Sequence, residues 1–235
     1  MKKILFLLVL LLTFIVNAQT ITGIYINQNI GAMGADAVGE DNKLTGKAKI
    51  PKIYEYRYSN NKSSLILLSE GGKIIDTLKR KLDDYNYDYE TVETTITPSK
   101  VQYYKDLKKK SFEKLSVMEN VETFIQDSLP QIDWKITNDK KTIYGYTCSK
   151  ATAARTVMGY PLNITAWFCD KIPINDGPFD FQGLPGFIME LEVNGLSVTK
   201  FVNLKFSEKN SVEIVPLKSN VKPITIAEFE KRVMR

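Results

Sequence analysis

The chain has 235 residues, 43% of them hydrophobic, 11% aromatic and 25% charged, with a formal net charge of +5. That describes a globular chain able to bury a core, and the charge is too mild to imply nucleic acid. Two cysteines and no histidine exclude Ser-His-Asp and Cys-His catalysis, histidine-ligated zinc or non-haem iron, and four-thiolate metal sites, leaving carboxylate chemistry and oxygen-ligated calcium open.

In chain order, Lys2 and Lys3 form a basic start, and Ile4 to Val16 is apolar apart from Thr13. Val16-Asn17-Ala18 then places small residues where a signal peptidase reads. This order predicts a signal peptide over 1–18, too short to span a bilayer, and a mature chain beginning at Gln19. No cysteine lies near the cut, which argues against a lipid anchor, and losing the two lysines leaves a charge of +3. Residues 19–235 read as one β-rich domain, periplasmic or secreted, with no later stretch apolar enough for a transmembrane helix and no cofactor motif.

Ile21 to Ile26 opens the strands, and the glycine-bearing stretch Asn29 to Gly46 reads as a loop. Lys52 to Tyr58 alternates, with Tyr54, Tyr56 and Tyr58 on one face and Ile53 and Glu55 on the other. Asn60-Asn61 is a turn into a returning strand at Ser64 to Leu68. Tyr85, Tyr87 and Tyr89 recur at period two; the acids between them lack the glycine and spacing of an EF-hand. Further strands are expected at Val101 to Tyr104, Val121 to Ile125 and Trp134 to Ile136, and Lys108-Lys109-Lys110 reads as a solvated turn.

Two hairpins follow. Ile143 to Thr152 and Ile164 to Phe168 flank Met158-Gly159. That centre puts Ala151 opposite Ala166 and Cys148 opposite Cys169, close enough for the disulfide expected of an exported chain. Phe187 to Val193 and Leu196 to Phe206 flank Asn194-Gly195, and a two-residue loop pairs Val193 with Leu196 and Leu191 with Val198, leaving Lys200 opposite Met189 as the one misfit. At the end, Thr225 with Glu228 forms a capping box before Ile226, Phe229 and Val233, which share one helical face.

Between the hairpins lie two turn motifs, Asp176-Gly177-Pro178 and Gly183-Leu184-Pro185-Gly186. Pro185 followed by Gly186 suggests a type II turn with Gly186 at positive φ. The segment reads either as a packed corner that sets the next hairpin or as the rim of a binding site. Asp170, Asp176 and Asp180 raise the alternative of paired-carboxylate hydrolysis. Together with Tyr-Thr-Cys-Ser-Lys-Ala-Thr, Ala-Trp-Phe and Ile-Pro-Ile, these motifs resemble the GLPGLI family of exported Bacteroidetes proteins. Phe187 stands where the family name has leucine, and Cys169 where threonine is expected. The resemblance implies an envelope protein of unassigned function, often associated with outer-membrane TonB-dependent uptake, and no known catalytic residue. In that context Asp76-Thr77-Leu78 and Asp127-Ser128-Leu129 fit a short O-glycosylation pattern of such proteins.

The expected fold is mainly β: a curved antiparallel sheet or half-barrel with one or two short helices, the alternative being a β-sandwich. Period-two tyrosines could leave an aromatic sheet face for an apolar or peptide ligand. The leading function is then a non-enzymatic envelope binding or carrier protein. The other two are an accessory subunit of an outer-membrane transport complex and a carboxylate hydrolase.

Overall fold

The structure, a computed structural model, describes residues 20–31, 50–68, 72–83, 85–118, 120–207 and 213–234. The expected signal peptide and most of the expected 29–46 loop lie outside the described residues. The described residues form thirteen strands and one helix: β1 (Thr20–Asn29), β2 (Lys52–Ser59), β3 (Lys62–Leu68), β4 (Gly72–Lys81), β5 (Tyr87–Ile96), β6 (Lys100–Asp106), β7 (Ser111–Met118), β8 (Val121–Ser128), β9 (Lys135–Ile143), β10 (Tyr146–Val157), β11 (Tyr160–Cys169), β12 (Phe187–Val193), β13 (Ser197–Ser207) and α1 (Ile226–Val233). Eleven strands form one antiparallel sheet in the order β8-β7-β6-β3-β2-β1-β13-β12-β11-β10-β9, open at both ends, and β4-β5 is a separate two-stranded ribbon. The mainly β, large antiparallel architecture is therefore as expected.

Local chemistry fixes the sheet. The turns at Asn60-Asn61, Tyr144-Gly145, Met158-Gly159 and Asn194-Gly195 each have two consecutive positive φ values, the signature of the I′ turn whose twist matches that of the strands. The Met158-Gly159 centre gives the expected register, with Ala151 opposite Ala166 and Ala153 opposite Ile164.

The second hairpin differs. Val193 pairs with Ser197 and Leu191 with Thr199, one residue out from expectation. Leu196 is left out of the ladder because its carbonyl accepts from Ile30 N and Gly31 N at 2.8 and 3.2 Å, at the end of β1. The shift also removes the misfit: Lys200 stands opposite Glu190, and their charges lie 3.7 Å apart.

One apolar cluster gathers Tyr25, Tyr54, Tyr56, Tyr58, Phe187, Met189 and Phe201. A second joins Ile164, Phe168, Phe181, Leu184, Ile188 and Leu191. Tyr25, Tyr56, Phe187 and Phe201 pack with ring centroids 4.7–6.1 Å apart, the tilted and edge-on geometry aromatic quadrupoles favour. At one sheet edge, the 213–225 stretch lies along β8, where Gln126 N donates to Ile224 O and Ile224 N to Phe124 O. The Thr225–Glu228 capping box then starts α1 as expected. The other edge, β9, carries exposed Lys135 and Lys140, charges that discourage edge-to-edge pairing. Among the described residues no helix is long and apolar enough to cross a membrane.

Candidate functional site

The β11–β12 connection, residues 170–186, determines the site. Three tight turns shape it: Ile174 N donates to Ile172 O, Asp176 N to Ile174 O and Gly186 N to Leu184 O, at 2.7–2.8 Å. Two of them centre on Pro173 and Pro185, whose fixed φ suits an inverse γ-turn. Gly183-Leu184-Pro185-Gly186 is therefore not a type II turn, and the positive-φ expectation for Gly186 is corrected: the positive φ, +94°, belongs to Gly183. Gly186 is required for space instead. A Cβ there would stand 2.3 Å from Cys169 O and 2.6 Å from Cys169 C. At Gly177 a Cβ would reach within 2.7 Å of Ile188 Cδ1. Leu184 is buried in the second cluster, and Pro178 is buried.

Asp176 is the anchor. It is fully buried, its Oδ1 ion-paired with the equally buried Lys105 ammonium of β6. Tyr56 Oη donates to Oδ2 at 2.8 Å, and Lys105 Nζ donates to Gly177 O at 2.7 Å. Tyr25 Oη donates to Ile188 O at 2.6 Å, and Ile188 N to Asp176 O at 2.9 Å. Burial, reinforced by the Asp176 charge, holds the Tyr25 and Tyr56 phenols well above the usual tyrosine range. A charge pair sealed in this way fixes position; it has no access to a reactant.

The other aspartates do not join it. Asp180 is held by Arg155 in a two-point pair at 2.6 and 3.1 Å, with the guanidinium 4.5 Å from the Phe181 ring centre. Asp170 is exposed. Two of the three acids are thus spent on separate ion pairs, and among the described residues no cluster of three His, Cys, Asp or Glu side chains could hold a metal ion.

Cys148 and Cys169 are both buried free thiols, so the expected disulfide is absent. The register was read correctly, but the β10–β11 ladder ends at Ser149 and Phe168. Beyond it Cys148 pairs with Lys141 of β9 and Cys169 with Phe187 of β12. The β10–β11 pairing thus stops one residue short of the two cysteines, and both thiols stay free within the first apolar cluster. Burial and the neighbouring Cys169 push the Cys148 thiol up to about 12.

A cleft of about 920 Å³ opens beside the segment, within the size range of ligand sites. Three chain reversals converge on it: Tyr58 and Asn61 from β2–β3, Leu107, Lys108 and Lys110 from β6–β7, and Leu129, Gln131 and Ile132 from the β8–β9 connection. Pro173, Ile174, Asn175, Gln182 and Gly183 supply the remaining wall. Gly183 exposes its backbone there; the nearest atom to a Cβ would be Trp134 Nε1, 4.0 Å away. That indole donates to Gln182 O at 2.9 Å. Gly183 thus lines the cleft, whereas Asp176, Gly177, Leu184 and Gly186 pack into the corner. Sequence reasoning misses Lys105 and Gln131, and it reads Asn61, Lys108 and Lys110 as turn residues without placing them on the cleft. Lys105 left one readable trace: it shares strand parity with Val101 and Tyr103, and a lysine on an inward face needs an acid.

Residues 157–190 match a family described as a protein of unknown function (Porph_ging), which supports a family of the Bacteroidetes type. No curated protein matches the chain. Among solved structures, the chain resembles PNGF-II in two crystal forms. The P21 form gives a TM-score of 0.53 at 14% identity over 91% of this chain, and the C2 form 0.52 at 14% over 92%. Each alignment covers 33% of the PNGF-II chain, so this protein spans about a third of it. The likeness is one of fold.

Proposed function

We propose that this is a GLPGLI-type exported protein acting as a non-enzymatic binding module, with the cleft beside Gly183 as its site. The cleft itself carries this reading: about 920 Å³, built where three turns meet a segment locked by a buried ion pair. A pre-formed cavity on a rigid frame binds without the ordering cost that a loose surface incurs. Of the period-two tyrosines expected to hold an apolar ligand, those of β2 are covered by the protein's own residues. Tyr54 packs edge-on against Phe179 at 5.4 Å, and the Tyr56 hydroxyl donates to Asp176. This moves the ligand from lipid-like to polar or peptide-like. The hydrolase reading loses support because Asp176 and Asp180 are committed to Lys105 and Arg155.

The test is native mass spectrometry of protein recovered from its own envelope, beside a Gln131→Trp variant. Gln131 is exposed on the cleft wall, so an indole there fills the cleft without touching the core. A retained species lost in the variant supports the reading; a species retained equally by both refutes it. A second reading, an accessory subunit on an outer-membrane uptake complex, is favoured by one observation. The β4-β5 ribbon stands apart from the sheet with Ile75, Tyr85 and Tyr89 exposed. Co-purification with an outer-membrane complex that is lost when residues 72–96 are replaced by a short turn would support it.

A further inference from the structure

We infer that the occupant of the cleft is an acidic peptide segment of a partner protein, bound in extended form. The assignment rests on the cleft reading above and adds the chemistry of the ligand. Lys108 and Lys110 are the only charged residues of the lining among the described residues, and both are exposed. Among the described residues neither has a carboxylate partner. The nearest acids in sequence are bonded elsewhere: Asp106 Oδ1 accepts from Lys109 N at 2.9 Å, and Glu113 accepts from Gln126 Nε2 at 3.1 Å and Leu217 N at 2.7 Å. Lys110 sits at a positive φ of 55° at the end of the turn, so its backbone position is fixed by the reversal that presents it. The site therefore offers positive charge with nothing among the described lining residues to neutralise it, and a carboxylate-bearing ligand is the complement.

The uncharged lining selects peptide. The lower wall is aliphatic, with Leu107, Leu129 and Ile132 half-buried and Ile174 buried, suited to alternate side chains of an extended strand. The exposed carboxamides of Gln131 and Asn175 can each donate and accept, as a peptide unit requires. A saccharide would call for an exposed aromatic platform. Tyr58, the one aromatic in the lining, is only 8% exposed.

The experiment is fluorescence anisotropy with a labelled peptide of about eight residues alternating leucine and glutamate. Its glutamine and lysine counterparts and a neutral oligosaccharide are measured alongside. The acidic peptide should bind best, and Lys108→Glu should weaken it by about fivefold, the effect of one exposed ion pair, while improving the lysine peptide. Gln131→Trp should abolish binding, with an unchanged melting temperature showing that the fold is intact. If the glutamine peptide or the saccharide binds as well as the acidic one, and Gln131→Trp still abolishes it, the acidic assignment is overturned and the cleft reading stands. If nothing binds, or Gln131→Trp has no effect on what does, both fall.

Discussion

Replacing Gly186 by alanine tests the central structural claim. The added methyl would lie 2.3 Å from Cys169 O, 2.6 Å from Cys169 C and 2.9 Å from Asp170 Cα. Normal contacts between such atoms are about 3.5 Å, so the overlap is about 1.2 Å at the closest atom, and all of it is against backbone. No rotamer can relieve it; the end of β11 must move away from the start of β12. That movement strains the bond from Phe187 N to Ile172 O, 3.1 Å. Overpacking costs about 1–3 kcal/mol, and a weakened hydrogen bond about 1 more. A total near 3 kcal/mol lowers Tm by about 6–12 °C for a chain of this size. Gly183→Ala provides the contrast. There the space is open and only the +94° φ is strained, costing about 1 kcal/mol. Asparagine, which tolerates left-handed backbone, should be milder than alanine at Gly183 and no better than alanine at Gly186. Thermal denaturation followed by circular dichroism ranks the four variants. Equal losses at the two positions, or an unchanged Tm for Gly186→Ala, would refute the close-approach account.

Three further outcomes follow from the buried groups. Asp176→Asn leaves the Lys105 charge unpaired in the core and should cost about 3–5 kcal/mol in urea unfolding, whereas the double variant Lys105→Met/Asp176→Leu should cost less than Asp176→Asn alone; additive losses would refute the coupling. The Tyr54 phenol is raised by burial to about 12, so the folded state keeps a proton that the unfolded chain loses near 10. Stability is then intact below about pH 10 and declines as pH rises toward 12, and Tyr25 and Tyr56, shifted in the same direction, add to it. Ionisation of these buried phenols, read as tyrosinate absorbance, should therefore coincide with unfolding; their ionisation in a chain that stays folded by circular dichroism would contradict this. Thiol titration without reductant should find two reactive thiols per chain in denaturant and almost none in the folded protein; a count of zero in denaturant would restore the Cys148–Cys169 bridge.

What was legible in the sequence is what local chemistry decides. Tyr54, Tyr56 and Tyr58 announced a half-buried strand, Met158-Gly159 gave its ladder to the residue, and Thr225 with Glu228 placed the start of α1. The failures have long-range causes. β7 was not anticipated, because Ser111 to Met118 mixes charged and apolar residues and is sheltered only by β6, β8 and the C-terminal stretch. The Tyr144-Gly145 turn lacks the asparagine that marks such reversals, so Ile143 was joined to β10 instead of ending β9. The register beyond Asn194-Gly195 was decided by Ile30 and Gly31, some 165 residues away, taking the carbonyl of Leu196. Gly186 was misread for a related reason. A glycine after proline signals a turn, but its backbone neighbour, Cys169, is brought there only by the fold.

The matched stretch, 157–190, contains the anchor almost whole. Asp176, Gly177, Gly183 and Gly186 fall inside it, and so do the two prolines of the γ-turns. Lys105, Tyr56 and Tyr25 reach the anchor from outside, Lys105 through its ion pair with Asp176 and its bond to Gly177 O, the two tyrosines through one hydroxyl bond each, and losing any of them leaves a buried polar group unsatisfied. The cleft divides differently. Pro173, Ile174, Asn175, Gln182 and Gly183 belong to the matched stretch, but both of its charges and most of its aliphatic lining come from Leu107 to Lys110 and Leu129 to Ile132. Those residues sit in exposed connections, where substitution costs little stability. A frame locked by Asp176 can therefore keep its shape while the connecting loops change the charge of the cleft. On this division of labour, exchanging Lys108 and Lys110 for acids should redirect what the cleft binds and leave the Tm within about 1 °C. A loss of several degrees from these two changes would show that the rim and the frame are a single energetic unit.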